Sequence, residues 1–181
     1  AWLTDLHLNF IKFHEVESFL SQVAAARPDA VLIGGDTAES SDLFMYLRQM
    51  ARALQIPIYF VLGNHDYYFN SIAQVRDDLR RLCRDVPDLV WLSEARPVEL
   101  APHTGLVGHD GWADGRAGDF ARSMVQMYDY QLIQELTGLN KETRWVRLKA
   151  LGDEAAAHLR RTFSSPRDHA PKNERLQRVH R

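Results

Sequence analysis

The chain has 181 residues, 45% hydrophobic and 25% charged, which suits one globular domain with its own core and excludes a disordered chain. Lys and Arg total 22 against 24 Asp and Glu, a formal net charge of -2, so no global field draws the chain to nucleic acid or to an anionic membrane. Its single cysteine, Cys83, excludes an internal disulfide framework and suits a reducing, cytoplasmic setting.

The opening AWLTDLHLNF reads as the end of a strand already under way; with no initiating Met, it gives the expectation of a trimmed or fragmentary start. No signal peptide is visible, and no apolar run approaches the roughly 18 residues a membrane helix needs. Val16, Phe19, Leu20 and Val23 recur at helical spacing, and Pro28 ends that helix. AVLIGGD (30–36) then reads as a buried strand. Leu43, Leu47, Met50 and Leu54 mark a second helix with Ser40 or Ser41 as N-cap. PIYFVLGN (57–64) is the next strand. Ile72, Val75, Leu79, Leu82 and Val86 mark a third helix, in which Cys83 reads as a buried structural thiol, and LVWLSE (89–94) is the strand after it. Continuous apolar strands alternating with helices predict an α/β layered fold of βαβαβ units, with mostly parallel strands buried on both faces.

Beyond residue 93 the pattern changes. Short strands are predicted around Val98 to Leu100 and Leu106 to Val107, followed by the Gly- and Asp-rich loop GHDGWADGR (108–116). Residues 122–163 are predicted mostly helical. One stripe carries Met124, Met127, Tyr128, Leu132 and Leu136, a second Trp145, Leu148, Leu151 and Leu159, and both read as core. The domain is therefore placed at residues 1–163. From Arg160 onward Lys and Arg outnumber Asp and Glu by seven to two, so residues 164–181 read as a basic, solvated tail. Nucleic-acid binding through that tail would rest on charge alone.

Three apolar strands end in polar residues: WLT runs into Asp5 and His7, VLIGG into Asp36, and YFVLG into Asn64, His65 and Asp66. Parallel strands place their carboxyl ends on one side, where ligands bind in open α/β sheets, and neighbouring strands lie about 4.8 Å apart. The polar groups therefore converge. Asp, His and Asn without thiolate form a mixed oxygen and nitrogen donor set, suited to Mn, Fe or Zn rather than Ca or Mg. In a two-ion site a carboxylate should bridge the ions, and Asp36, on the middle motif, is the candidate. A neutral amide at Asn64 would preserve positive charge for an anionic substrate. Gly34, Gly35 and Gly63 clear space where backbone passes the site.

Asp5-x-His7, Gly35-Asp36 and Gly63-Asn64-His65-Asp66, in that order and about thirty residues apart, resemble the D-x-H, G-D and G-N-H-[DE] motifs of the calcineurin-like metallophosphoesterases. The resemblance covers residues 1 to about 110. It implies two divalent ions, with Asp5 and His7 ligating the first, Asp36 bridging and Asn64 ligating the second. His65 and Asp66 become the catalytic pair, with Asn64, His65 and Arg116 toward the phosphate. The implied activity is hydrolysis of small phosphomonoesters or phosphodiesters by attack of metal-activated water at phosphorus.

The sequence also departs from the family's pattern. The later lone histidine and G-H-x-H that complete the ligand set are missing: Gly111 stands where His109 would need a second histidine. His169, in DHAP, is a candidate ligand against the simpler reading of a solvated tail residue. The second half of the sandwich is therefore expected to be incomplete, with weak metal binding and reduced turnover. GDTAESSD also differs from the G-D-x-x-D-R-G of the protein Ser/Thr phosphatases. A non-catalytic relative, keeping the fold as a metal- or protein-binding module, is the alternative. Asp5, His7 and Asp36 as turn residues, His65 as a loop histidine, and Arg116 within an ordinary Gly/Asp turn are the plainer readings. His14 and His103 read as surface or cap residues.

Overall fold

The computed structural model describes residues 1–164. The predicted tail beyond them, with His169, lies outside the described residues. Four short parallel strands form the main sheet in the order β1 (Trp2–Leu3), β2 (Val31–Ile33), β3 (Ile58–Phe60) and β4 (Leu89–Trp91). Leu32 pairs with Trp2 on one side and Tyr59 on the other, and Tyr59 with Val90. The connecting helices are α1 (Phe13–Ala25), α2 (Ser40–Leu54) and α3 (Ile72–Asp85).

Side-chain alternation divides the sheet into two faces. Val31, Ile33, Ile58, Phe60, Leu89 and Trp91 join the apolar stripes of all three helices in one core, including Val16, Leu20, Leu43, Leu47, Val75 and Leu79. Strand order rises by one at each crossover, and equal-handed crossovers stepping in one direction put every helix on the same side. The expectation of strands fully buried on both faces is thereby corrected. On the second face Tyr59 is buried, but Leu32, Val61 and Val90 are only partly covered, by an antiparallel hairpin of β5 (Val98–Ala101) and β6 (Thr104–Leu106).

α2 starts differently from the prediction. Glu39 occupies the N-cap position, and the Ser40 hydroxyl donates to the Tyr68 carbonyl instead of capping. The N-terminus of α3 is capped twice: Ser71 Oγ accepts the Gln74 N–H, and the Glu135 carboxylate accepts those of Ile72 and Ala73. Cys83 is half-buried within α3.

The predicted helical stretch 122–163 is the largest correction. It contains a single short turn, α4 (Asp129–Leu132), and one long helix, α5 (Lys141–Ser164). Between them the backbone is diverted to the start of α3: Leu132 O accepts the Phe69 N–H, Gln134 N–H donates to Asn70 O, and Ile133 bridges Asn70. Gly138, at φ 71°, breaks the pattern again, and Asn140 Oδ1 caps the start of α5. Met124 and Tyr128, predicted as core, are 87% and 72% exposed, whereas Leu136 is buried. The second stripe holds in part: Leu148 and Leu151 are buried, Leu159 is only half-buried, and the half-buried Trp145 stacks on Phe120 while its indole N–H donates to Asp114 O. Among the described residues no helix is long and apolar enough to cross a membrane.

Candidate metal centre

The loops that follow β1, β2 and β3 are zipped together by backbone bonds. Asp5 N–H donates to Gly35 O, His7 N–H to Asp36 O and Leu8 N–H to Thr37 O, so the Asp-x-His segment lies along the Gly-Asp segment. Asp66 then ties in the third loop: its Oδ1 accepts the N–H groups of Thr37 and Ala38 at 2.9 and 3.1 Å, and its Oδ2 accepts that of Gly63 at 2.8 Å. Two glycines allow the approach. Gly35 sits at φ 100°, and a Cβ on it would fall 2.6 Å from Gly63 N.

This packing brings ligand-capable atoms of His7, Asp36 and His65 within 4.8 Å of one another. Asp36 Oδ1 accepts the His65 N–H at 3.0 Å, while Oδ2 lies 4.0 Å from His7 Nε2. The two imidazoles meet edge to face, ring centroids 4.6 Å apart. His65 also stacks on Tyr68 at 4.3 Å. Asp5, His7 and Asp36 all adopt left-handed backbone, φ 51°, 43° and 50°. For residues with a Cβ that conformation is unfavourable, and it gathers where surrounding structure holds side chains to a task.

The donor set fits a divalent transition-metal ion. Among the described residues His7 Nδ1 and His65 Nδ1 are buried without any hydrogen-bond partner, an arrangement that costs free energy unless a bound ion or substrate group engages them. Imidazole nitrogen with carboxylate oxygen suits Zn, Fe or Mn.

The remaining expected residues are placed as follows. Asp5 is exposed, accepts the Thr4 hydroxyl at 2.5 Å and stands outside the close group. Asn64 donates from its amide nitrogen to Asp129 Oδ1 at 2.8 Å and to Tyr68 Oη at 3.1 Å, which leaves the amide oxygen as its ligand-capable atom. Asp66, expected to be catalytic, is fully buried with its oxygens on backbone amides, out of reach of a substrate. Burial pushes its carboxyl up to about 7, against the pull of the three N–H donors and with a further push from Asp36. Arg116, expected to pair with phosphate, is instead engaged by Asp153 at 2.7 Å and Asp114 at 3.1 Å. His109 faces His158, ring centroids 5.0 Å apart, and burial lowers its pKa.

Two carboxylates that sequence reasoning missed hold this region. Asp110, its side chain 1% exposed, accepts from Leu62 N–H, Trp91 Nε1, Ser93 Oγ and Tyr67 Oη. Asp129 accepts from Asn64 and from the Tyr68 hydroxyl at 2.8 Å, and burial followed by that bond raises the Tyr68 pKa. Nothing local in GHDGW or MYDYQ distinguishes either aspartate from a turn residue, because their donors lie far away in the chain.

A profile of the calcineurin-like phosphoesterases matches residues 1–167. The chain belongs to that family. The family is dinuclear metal-dependent, and its general activity is phosphoester hydrolysis. Among solved structures, the phosphopantetheinyl hydrolase PptH from Mycobacterium tuberculosis superimposes with a TM-score of 0.56 at 16% identity. The match covers 91% of this chain and 63% of that one, so the chain spans less than two thirds of its neighbour and shares its fold. No curated protein matches significantly.

Proposed function

We propose that the chain hydrolyses small phosphomonoesters or phosphodiesters with divalent ions, Mn, Fe or Zn, held at the converging strand ends. The observation that carries this reading is the group His7, Asp36 and His65, drawn from three different loops, with two buried imidazole nitrogens lacking partners.

His7 and Asp36, with Asp5 from the same loop turning inward, would hold one ion, and Asp36 with the amide oxygen of Asn64 would hold the other. Ions so held would lower the pKa of water toward neutrality and withdraw charge from phosphoryl oxygens. The protein's own work is positioning and proton transfer. Asp129 and Tyr68 fix the Asn64 amide so that oxygen is presented. Asp36 Oδ1 fixes the His65 backbone, and the stack on Tyr68 fixes its ring. His65, beside Asp36, would give a proton to the leaving oxygen.

The test is hydrolysis of a chromogenic phosphodiester with added Mn²⁺ by the wild type, Asp36→Asn and His65→Ala, with bound metal measured by elemental analysis. Turnover lost in both variants supports the reading; equal background in all three overturns it. A metal-holding module without turnover is the second reading. It is favoured by His7, Asp36 and His65 being the single such group among the described residues. It predicts bound metal with no hydrolysis.

A further inference from the structure

A cavity of about 260 Å³ shares Asn64 with the metal centre. Trp112, Met127, Tyr130 and Leu148 supply its apolar surface, Gly63 and Asn64 part of its wall, and Asp110 and Asp129 its only charged groups among the described residues. Both carboxylates are occupied by internal donors, and among the described residues no Lys or Arg lines the space. A dianionic phosphoryl group would therefore meet two carboxylates on the cavity wall and no lining cation, since Arg76, 4.0 Å from Asp110, is not among the lining residues. An uncharged apolar ring would meet surface it can desolvate, and cavities of about 150 Å³ already take a benzene ring.

The geometry points to this cavity as the seat of the substrate's alcohol half: an uncharged, flat, apolar or aromatic group on the ester oxygen, with the phosphoryl group left outside at the metal centre. Trp112 is its main wall, set in place by packing against Tyr67 at 6.0 Å, and Leu148, 2% exposed, is its apolar floor. The assignment rests on the phosphoesterase reading above but concerns a different surface, so the two can fail separately.

Benzyl and ethyl phosphate have leaving alcohols of similar basicity and differ in the ring. The expected result is that Mn²⁺-loaded wild type prefers benzyl phosphate by about tenfold or more in kcat/KM, the range a well-formed apolar pocket gives. Trp112→Ala and Ala113→Phe, the second adding bulk from the exposed rim, should collapse that ratio. Equal kcat/KM for both esters in the wild type would overturn the assignment while leaving hydrolysis intact. Independently of turnover, benzyl alcohol titrated into isotopically labelled wild-type protein should shift the backbone amides of residues 111–113 and 127–130. Shifts confined to other regions, or none, would overturn the assignment even if no ester is cleaved. Shifts at those residues without any cleavage would uphold the pocket and sink the hydrolase reading instead.

Discussion

Asp36 lies so close against Gly63 that a Cβ at position 63 would fall 2.1 Å from Asp36 Oδ1, the same oxygen that accepts the His65 N–H. The glycine of the third motif is thus the negative image of the carboxylate of the second. The requirement is for space, not for a turn.

Gly63→Ala should therefore push Asp36 off His65 or part the two loops. Overpacking of this kind costs about 1–3 kcal/mol. Urea unfolding should show that loss together with weakened Mn²⁺ binding in calorimetry. A variant with wild-type midpoint and metal affinity would refute the packing argument.

Asp66 accepts three backbone N–H groups from two different loops while fully buried. Asp66→Asn keeps the shape but turns an amide donor toward at least one of those donors. Leaving a buried donor unsatisfied costs about 1–3 kcal/mol. Denaturant unfolding should show that loss, with metal affinity falling alongside because Gly63 and Thr37 frame Asn64 and Asp36. A stable variant with only a reduced kcat would instead return Asp66 to the chemistry.

What the sequence made legible, and what it hid, divides by range. Strand and helix order through β4 was readable because each element buries its own apolar stripe: Leu43, Leu47 and Met50 carry their period locally and all are buried. The strand-end positions of Asp5, His7, Asp36 and Asn64 were readable because the alternation already implied the strands' direction, and of these the structure brings His7 and Asp36 together with His65. The stretch from Met124 to Leu136 misled because its spacing is helical, whereas Asn70 and Phe69, over sixty residues away, claim its backbone groups. Asp110 and Asp129 were invisible for the same reason. A carboxylate's value as a hub depends on donors brought by the fold, and one sequence does not name them.

Burial raises the Cys83 thiol from 9.0 to about 11. The folded pKa lies above the unfolded one, so this contribution to stability is full below pH 9 and declines as pH rises toward 11, by about 2–3 kcal/mol in all. Cys83→Ala should lack that component of the decline, seen as a difference between the two proteins' unfolding free energies across this window. At pH 8 the native thiol should alkylate about a hundredfold more slowly than in urea, since only the thiolate reacts. Equal rates in both states would show an open, unperturbed thiol.

Arg116 is committed to Asp114 and Asp153, and those contacts raise its pKa while lowering that of Asp153. An exposed pair of this kind contributes little to stability and leaves no free fork for phosphate. Arg116→Ala should change kcat/KM for a phosphodiester by less than about twofold. A loss of tenfold or more would mean that the guanidinium leaves the aspartates for the substrate.

Asp129 holds Asn64, the proposed ligand of the second ion, in place. Its Oδ1 takes both the Asn64 amide and the Tyr68 hydroxyl, and Tyr68 in turn stacks on His65, so one carboxylate orients a ligand-capable amide and a histidine together. Asp129→Ala frees the Asn64 amide to rotate and strands the Tyr68 hydroxyl. Loss of a partner that orients a metal ligand lowers affinity by about 10- to 100-fold. Calorimetry with Mn²⁺ should read that loss directly. Asp129→Asn keeps an oxygen able to accept both bonds and should recover most of the affinity. If Asp129→Ala binds Mn²⁺ like the wild type, Asn64 is held by other means; if Asp129→Asn is as poor as Asp129→Ala, charge rather than orientation is what Asp129 supplies.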